Sequence, residues 1–349
     1  MNVVIGPVRR ARHYLAIPVA AAILLVAMLA GVVIGAVALP VDAVLATLVD
    51  RLGWSVGTPL TGTNATLLTD LRVPRVVLAA MVGGMLALAG ASYQGVFRNP
   101  LADPYLLGAA AGAGVGATLV IATDPLGLDG PLHLPGAAFL GALAGVGMSY
   151  ALGTVAARHG GGAATLLLAG VAVSAFLTAV QTAIQQARAD TLQQVYSWIL
   201  GQLGTAGWSE VRLVLPYMAV STVVMLAAGR ALDVLAVGDE EARTLGMRPG
   251  TVRFVVLCAA SLGTAAAVAV SGLIGFVGLV IPHIVRRLAG YSYRLVLPVS
   301  LLAGGAFLVL ADLLARTLLA PAELPIGVIT AFVGAPFFAA LLRFGGSST

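Results

Sequence analysis

Four charged side chains, Asp239, Glu240, Glu241 and Arg243, fall within five consecutive positions of a 349-residue chain in which only 9% of residues are charged. Their segment reads Gly238-Asp-Glu-Glu-Ala-Arg-Thr-Leu-Gly246. Acids at the front suit the positive end of a helix dipole, and Gly246 suits a left-handed stop after the last turn. The pattern predicts a helix of about two turns, with Ala242 and Leu245 forming a small apolar side. Such a helix cannot lie in hydrocarbon, so it stands in water. Its chemistry is ion pairing with a partner surface; a simple solvated loop is the alternative.

Three further groups could do chemistry. In Arg98-Asn-Pro-Leu-Ala-Asp-Pro104, Asp103 followed by Pro104 is an N-cap and a first-turn proline, a strong helix start. Arg72 and Arg75 form a cationic pair, and Asp312 precedes Arg316 by four residues, the spacing of an intrahelical ion pair that would aim the guanidinium. An acid among apolar neighbours is expensive unless partnered. Gln181, Gln185 and Gln186 share one helical face, with Tyr196 and Trp198 just beyond. They could touch a polar solute or bond one helix to another.

No set of residues here suggests a reaction. His13, His133, His159 and His283 offer no nucleophile–base pair and no ligand cluster, and His283 beside Arg286 and Arg287 reads as structural. The chain has no G-x-x-x-x-G-K-[ST] loop and no lysine that could fill one. A single cysteine, Cys258, excludes a disulfide framework. We therefore expect no catalytic residue, no metal site and no cofactor held by this chain. That disfavours an intramembrane enzyme.

The elements that must position these groups are membrane helices. Hydrophobic residues make up 60% of the chain and mean hydropathy is +1.02, whereas a soluble domain would carry about a quarter charged residues. Apolar runs fall at about 15–39, 75–97, 104–123, 135–157, 164–187, 210–230, 251–270, 272–289, 295–318 and 325–342. The first is too long for a typical signal peptide and right for a span. The run 254–285 would make a helix near 48 Å, too long for a core of about 30 Å, so a tight turn at Ser271-Gly272 should divide it. With ten spans and the N-terminus inside, 13 of the 19 arginines are cytoplasmic; merging the two spans leaves ten. The positive-inside rule prefers ten. Both termini and the segment 231–250 are then cytoplasmic, and 40–74 is the longest external stretch. The scattered arginines are membrane flanks and no nucleic-acid patch. Gly108-xxx-Gly112-xxx-Gly116 and Gly141-xxx-Gly145 are ladders that let helices approach closely.

Five motifs occur in order: Arg72-Val-Pro-Arg75, Gln94-Gly-Val-Phe-Arg-Asn-Pro-Leu-Ala-Asp-Pro104, the Gly238–Gly246 segment, Ser271-Gly-Leu-Ile-Gly-Phe-Val-Gly-Leu-Val-Ile-Pro-His283 and Glu323-Leu-Pro-Ile-Gly327. Together, over residues 15–343, they resemble the permease subunits of binding-protein-dependent ABC importers for iron-siderophores, haem and cobalamin, the FecCD family. The resemblance implies an all-α permease domain over 1–349, with a cytoplasmic N-terminus at 1–14 and a ten-helix bundle at 15–343. It also implies a homodimer with a central pore in the cytoplasmic membrane of a prokaryote. Two cytoplasmic ATPase subunits would carry ATP and Mg, and an extracytoplasmic binding protein would deliver cargo.

The resemblance assigns roles residue by residue. Asp239, Glu240, Glu241 and Arg243 would make polar contacts with the ATPase, with Leu245 and Met247 as apolar anchors. Arg72, Arg75 and Arg316 would receive the binding protein. Asn99 and Leu101 match a cytoplasmic gate. A second gate strand falls in Gly160–Thr165, where the family carries hydroxyl residues and this chain has Ala163 and Ala164. The pore that the resemblance implies makes Gln181, Gln185 and Gln186, by their shared face, candidates to line it, with bonding between helices the equal alternative. Ferric siderophore is the leading cargo, with haem and cobalamin behind it. An ion-coupled secondary transporter is the rival of another class; it would want embedded acids near the midplane, and only Asp312 comes close.

Overall fold

Val73–Phe97 is apolar on every side, the pattern of a helix with no solvent face. A computed structural model describes residues 7–35, 37–51, 53–54, 57–123, 133–157, 163–204 and 207–345. Among them every regular element is helical. The main helices are α1 (Pro7–Val33), α2 (Val73–Phe97), α3 (Ala109–Thr123), α4 (His133–Ala157) and α5 (Ala163–Ala187). They continue as α6 (Trp208–Ala227), α7 (Pro249–Ser271), α8 (Val277–Ala289), α9 (Tyr293–Thr317) and α10 (Ile326–Gly345). A helix thus occupies each of the ten expected stretches. Seven are long and apolar enough to cross a membrane, α3 and α10 are shorter apolar helices, and α8 has 13 residues. The chain is a multi-pass membrane protein. Residues 1–6 and 346–349, the ends expected in the cytoplasm, lie outside the described residues.

α2 is the axis of the bundle. Every residue from Val82 to Phe97 is buried, against α9, α7, α8 and α6. Glycine sets how closely the neighbours come. A Cβ on Gly83 would stand 2.3 Å from the Gly304 carbonyl oxygen of α9, and one on Gly90 would stand 1.9 Å from that of Gly278 on α8. Such contact lets dispersion forces act between whole backbones, in a solvent that provides no hydrophobic drive. The two glycine ladders prove to be one interface. Gly108 lies against Gly145, Gly112 against Gly141 and Gly116 against Ala137, so α3 and α4 run antiparallel at backbone distance.

Two boundaries differ from expectation. The helix containing α2 begins at Gly62, 13 residues before the expected start, as a helix Gly62–Thr66 followed by a π-helical stretch Leu67–Arg72. Pro74 follows that wide turn, where its missing N–H interrupts little. The break after Ser271 is an irregular five-residue segment, 272–276, rather than a two-residue turn.

That segment and the chain between α2 and α3 enter the bundle from opposite ends and meet. Pro104 packs on Gly278, which itself lies against the Leu86 carbonyl, well inside α2 rather than at its end. The Tyr105 hydroxyl donates to the Ile274 carbonyl at 3.0 Å and accepts from its N–H at 3.2 Å. Non-helical backbone at this depth persists only where protein satisfies its polar groups. α3 is short because it starts from this interior junction.

Gly90→Ala should force α2 and α8 apart and lower stability by about 1–3 kcal/mol or more. Gly136→Ala, whose new Cβ meets nothing within 4 Å, is the control and should melt like the parent. Thermal unfolding of the two purified variants in detergent checks this; equal melting temperatures would refute the backbone-contact account.

Candidate functional site

The chemistry-bearing residues gather at the two ends of α2. At one end Arg75 forms a two-carboxylate network. Its Nε donates to Asp312 Oδ1 at 2.9 Å, and its Nη1 and Nη2 donate to the two oxygens of Glu323, each at 2.9 Å. Asp312 is 1% exposed and Glu323 42%. The expected Asp312–Arg316 pair exists but is the looser contact, at 3.4 Å. Asp312 pairs first with Arg75, from a helix more than two hundred residues away in sequence, and that partner was not legible.

Arg72 and Arg316 point inward. Arg72 donates to the carbonyls of Val32 at 3.3 Å, Val33 at 3.2 Å and Val37, which close the end of α1. Arg316 donates to the Gly31 carbonyl. A guanidinium is well placed there, because the last carbonyls of a helix lack partners and carry its negative pole. Gly35 leaves the room: a Cβ on it would stand 2.7 Å from Arg72 Cζ. Both arginines are therefore buried, and the groups presented at this end are Arg75 and Glu323.

At the other end of α2 the charged segment folds as expected. Asp239–Thr244 is helical, Gly246 takes φ +79° and stops it, and Met247 N–H closes onto the Ala242 carbonyl at 3.0 Å. Glu240, Glu241, Arg243 and Leu245 are exposed, while Ala242 is buried. Met247 is half-buried and packs into this chain's own core. Val237, passed over in the sequence, stands 72% exposed, and Leu245 is 73% exposed. Large apolar side chains exposed next to charges are the profile of a protein-contact surface.

Asp239 differs from its neighbours. Arg253 of α7 holds it with both terminal guanidinium nitrogens, at 2.5 and 2.8 Å, and Arg98 approaches the same carboxylate at 3.2 Å. The hydrogen bonds from Arg253, with smaller help from the charges of Arg98 and Arg243, hold the Asp239 carboxyl below the usual carboxylate range. Neither arginine was singled out in the sequence, although Arg98 stands within a quoted motif.

Beyond Arg98, the Asn99 carboxamide oxygen accepts from Leu101 N–H at 2.9 Å and tightens the turn, leaving Leu101 42% exposed. Asp103 caps the next turn by accepting from Tyr105 N–H at 2.9 Å. Of the expected second gate stretch, residues 160–162 lie outside the described residues; Ala163 begins α5 and Ala164 is exposed. The glutamines divide. The Gln181 side chain is buried over Gly114 of α3, Gln185 is half-buried and Gln186 exposed. Trp198 is buried and Tyr196 exposed. His283 meets Phe337 edge-on, ring centroids 6.0 Å apart. Among the described residues no three His, Cys, Asp or Glu gather as a metal site.

Comparison with known proteins matches this architecture. The family model of the FecCD transport family matches residues 23–344. The chain is 41% identical over 346 residues to the uncharacterized ABC transporter permease protein YvrB of Bacillus subtilis, covering 95% of this chain and 94% of that one. It is 43% identical over 281 residues to the cobalamin import system permease protein BtuC of Halobacterium salinarum, covering 80% of this chain and 74% of that one. A solved structure described as a metal-chelate type ABC transporter in an inward-facing conformation superposes with a TM-score of 0.79 at 26% identity. It covers 94% of this chain and 98% of its own.

Asp312→Ala would strip the buried Arg316 and the half-buried Arg75 of their shared counter-charge and should cost about 3–5 kcal/mol in unfolding measurements. Glu323→Gln, at an exposed partner, should cost no more than about 1 kcal/mol; a reversed ranking would refute the network as drawn. The depressed Asp239 carboxyl contributes stability above its unfolded pKa of about 3.9 and loses it as pH falls through its lower folded value. The melting difference between the parent and Asp239→Asn should therefore stay constant from about pH 5.5 to 8 and shrink only below about pH 4.

Proposed function

The chain belongs to the FecCD transport family, and from that premise we propose that it is the membrane-spanning subunit of an ATP-driven importer of a metal chelate. Its relatives are permease subunits, non-catalytic parts of complexes that also contain an ATPase and a substrate-binding protein. In our reading 1–349 is one permease domain with ten crossings and both termini in the cytoplasm of a prokaryote. Two copies enclose a pore that opens alternately to either side of the membrane. The Arg98 end of α2 faces two cytoplasmic ATPases, which hold ATP and Mg. The Arg75 end faces the binding protein outside.

The observation that carries this reading is the water-exposed helix Asp239–Thr244. It presents Glu240, Glu241 and Arg243, with Val237 and Leu245 also exposed in the same segment, on a chain with no nucleotide-binding loop. Charge and apolar surface together suit a protein cleft, and the energy of transport must enter through such a contact. Met247 supports the helix from beneath. At the outer end Arg75 is the docking cation, with Arg72 and Arg316 holding α1 behind it. Asn99 and Leu101 form the cytoplasmic gate, with Ala163 and Ala164 allowing close approach of the second strand. Gln185 and Gln186 face the cargo path, and Gln181 fixes α5 against α3.

Ferric siderophore is the first cargo we would test. The relative named for cobalamin keeps cobalamin level with it, and haem belongs to the same chelate class. An ion-coupled transporter is disfavoured because Asp312, the embedded acid it would need, is already bound to Arg75 and Arg316.

Proteoliposomes holding the permease, its cognate ATPase and its binding protein should hydrolyse ATP faster and take up cargo with one of a ferric hydroxamate siderophore, haemin or cyanocobalamin. Glu240→Arg/Glu241→Arg should lose most ATPase co-purification and at least about tenfold in uptake, the effect of roughly 1.4 kcal/mol. Arg75→Glu should weaken binding-protein affinity while ATPase attachment persists. Failure of the wild-type chain to retain any ATPase would overturn the importer reading.

A further inference from the structure

Arg98 occupies a backbone position that ordinarily goes to glycine or asparagine. It ends α2 at φ 50° and ψ 36°, the left-handed conformation, with Arg98 N–H and Asn99 N–H closing back onto the carbonyls of Gly95 and Gln94 at 3.3 and 3.2 Å. Only a few per cent of non-glycine residues adopt a positive φ, and persistence of one points to a task for its side chain. The left-handed turn carries the long Arg98 side chain away from the helix axis, and its Nη2 stops 3.2 Å from Asp239 Oδ1. Asp239 is the first residue of the exposed charged helix, and Asn99, the next residue after Arg98, begins the gate turn. One ion pair thus joins the two segments.

The same carboxylate also receives the Arg253 fork from α7, its Oδ1 shared between Arg253 at 2.5 Å and Arg98 at 3.2 Å. Two guanidinium groups compete for one acid. The tight bidentate contact ties the charged helix to α7, and the longer single contact ties it to the end of α2. A shift of about 1–2 Å in the charged helix, typical of switching elements, would exchange one contact for the other. Arg98, 44% exposed, has the freedom to follow such a shift; α2 behind it, packed on glycines, does not.

We propose that Arg98 is a positioning residue that transmits movement of the Asp239–Thr244 helix to the gate turn at Asn99 and Leu101, through its ion pair with Asp239. The inference rests on the importer reading above. It adds a role for a residue outside both the ATPase surface and the gate, and it makes Asp239 an internal joint as well as a surface charge.

The test uses the full complex in proteoliposomes, with Leu101→Cys as a probe in a Cys258→Ala background. Arg98→Asn removes the cation yet keeps a residue suited to the left-handed backbone, so the turn survives. Arg98→Lys keeps the charge. The readouts are ATPase co-purification, basal ATP hydrolysis, and labelling of Leu101→Cys by a membrane-impermeant maleimide with and without ATP and vanadate. We expect Arg98→Asn to retain the ATPase and its basal hydrolysis while the ATP-dependent change in labelling falls about fivefold or more. Arg98→Lys should recover most of that change.

An undiminished labelling response in Arg98→Asn would overturn the proposal. Loss of the ATPase in that variant would overturn it too, making Arg98 part of the docking surface. A probe that ignores ATP in the otherwise wild-type chain while hydrolysis proceeds would likewise sink it, because the turn would then not be an ATP-moved gate. Absence of the ATPase from the wild-type chain is the separate outcome that removes the importer reading itself.

Discussion

Everything in this molecule depends on how closely α2 is held by its neighbours. Gly83 against Gly304 and Gly90 against Gly278 bring whole backbones into contact, and no larger residue fits at those points. In a membrane, apolar side chains gain little by leaving lipid for protein, so van der Waals contact between helices must supply the cohesion. A helix gripped in this way is a rigid rod. Its 25 residues extend about 37 Å, enough to carry Arg75 at one end and Arg98 at the other. The two polar networks are therefore attachments to a single stiff element.

Those networks are built differently. The Arg75 end combines three arginines with two acids, and its buried members take their partners from within the chain, from Asp312 and from the terminal carbonyls of α1. Breaking such a buried pair is costly, which keeps this end of the bundle in one shape. The Arg98 end is more exposed, and two cations share the Asp239 carboxylate there. Exposed pairs are individually weak and can be exchanged at little cost. Between them lies the interior junction of Tyr105 with Ile274, where two non-helical segments meet around one hydroxyl. A bundle of uninterrupted helices has no such joint, and this one sits between the Asn99 turn and the break between α7 and α8.

Much of this was legible in the residues because it rests on local rules. Apolar runs predict helices wherever they are long enough, and a helix occupies each of the ten stretches. The Asp-Glu-Glu start and Gly246 stop of the charged helix follow from the helix dipole and from the conformational freedom of glycine, both readable at a few positions. The glycine ladders announced close packing, since only small residues at every fourth position leave a groove. Their spacing could not say which groove fills which. The mutual pairing of Gly112 with Gly141 is a fact of three dimensions.

Hydropathy and capping act between neighbours in the chain, so residue order alone establishes the class of the protein, its membrane character, the order of its helices and the place of its exposed charged helix. Five ordered motifs also determined its kinship. Which partner each charge takes emerges only on folding. Arg72 and Arg316 read as surface cations and turned inward to close α1; Asp312 read as the partner of Arg316 and went first to Arg75; Asp239 read as a surface acid and became a shared anchor for Arg98 and Arg253. The physical reason is common to all three. A charge takes whichever partner packing brings within about 3 Å, most strongly where the bundle excludes water, and packing is settled by backbone contacts far away in sequence.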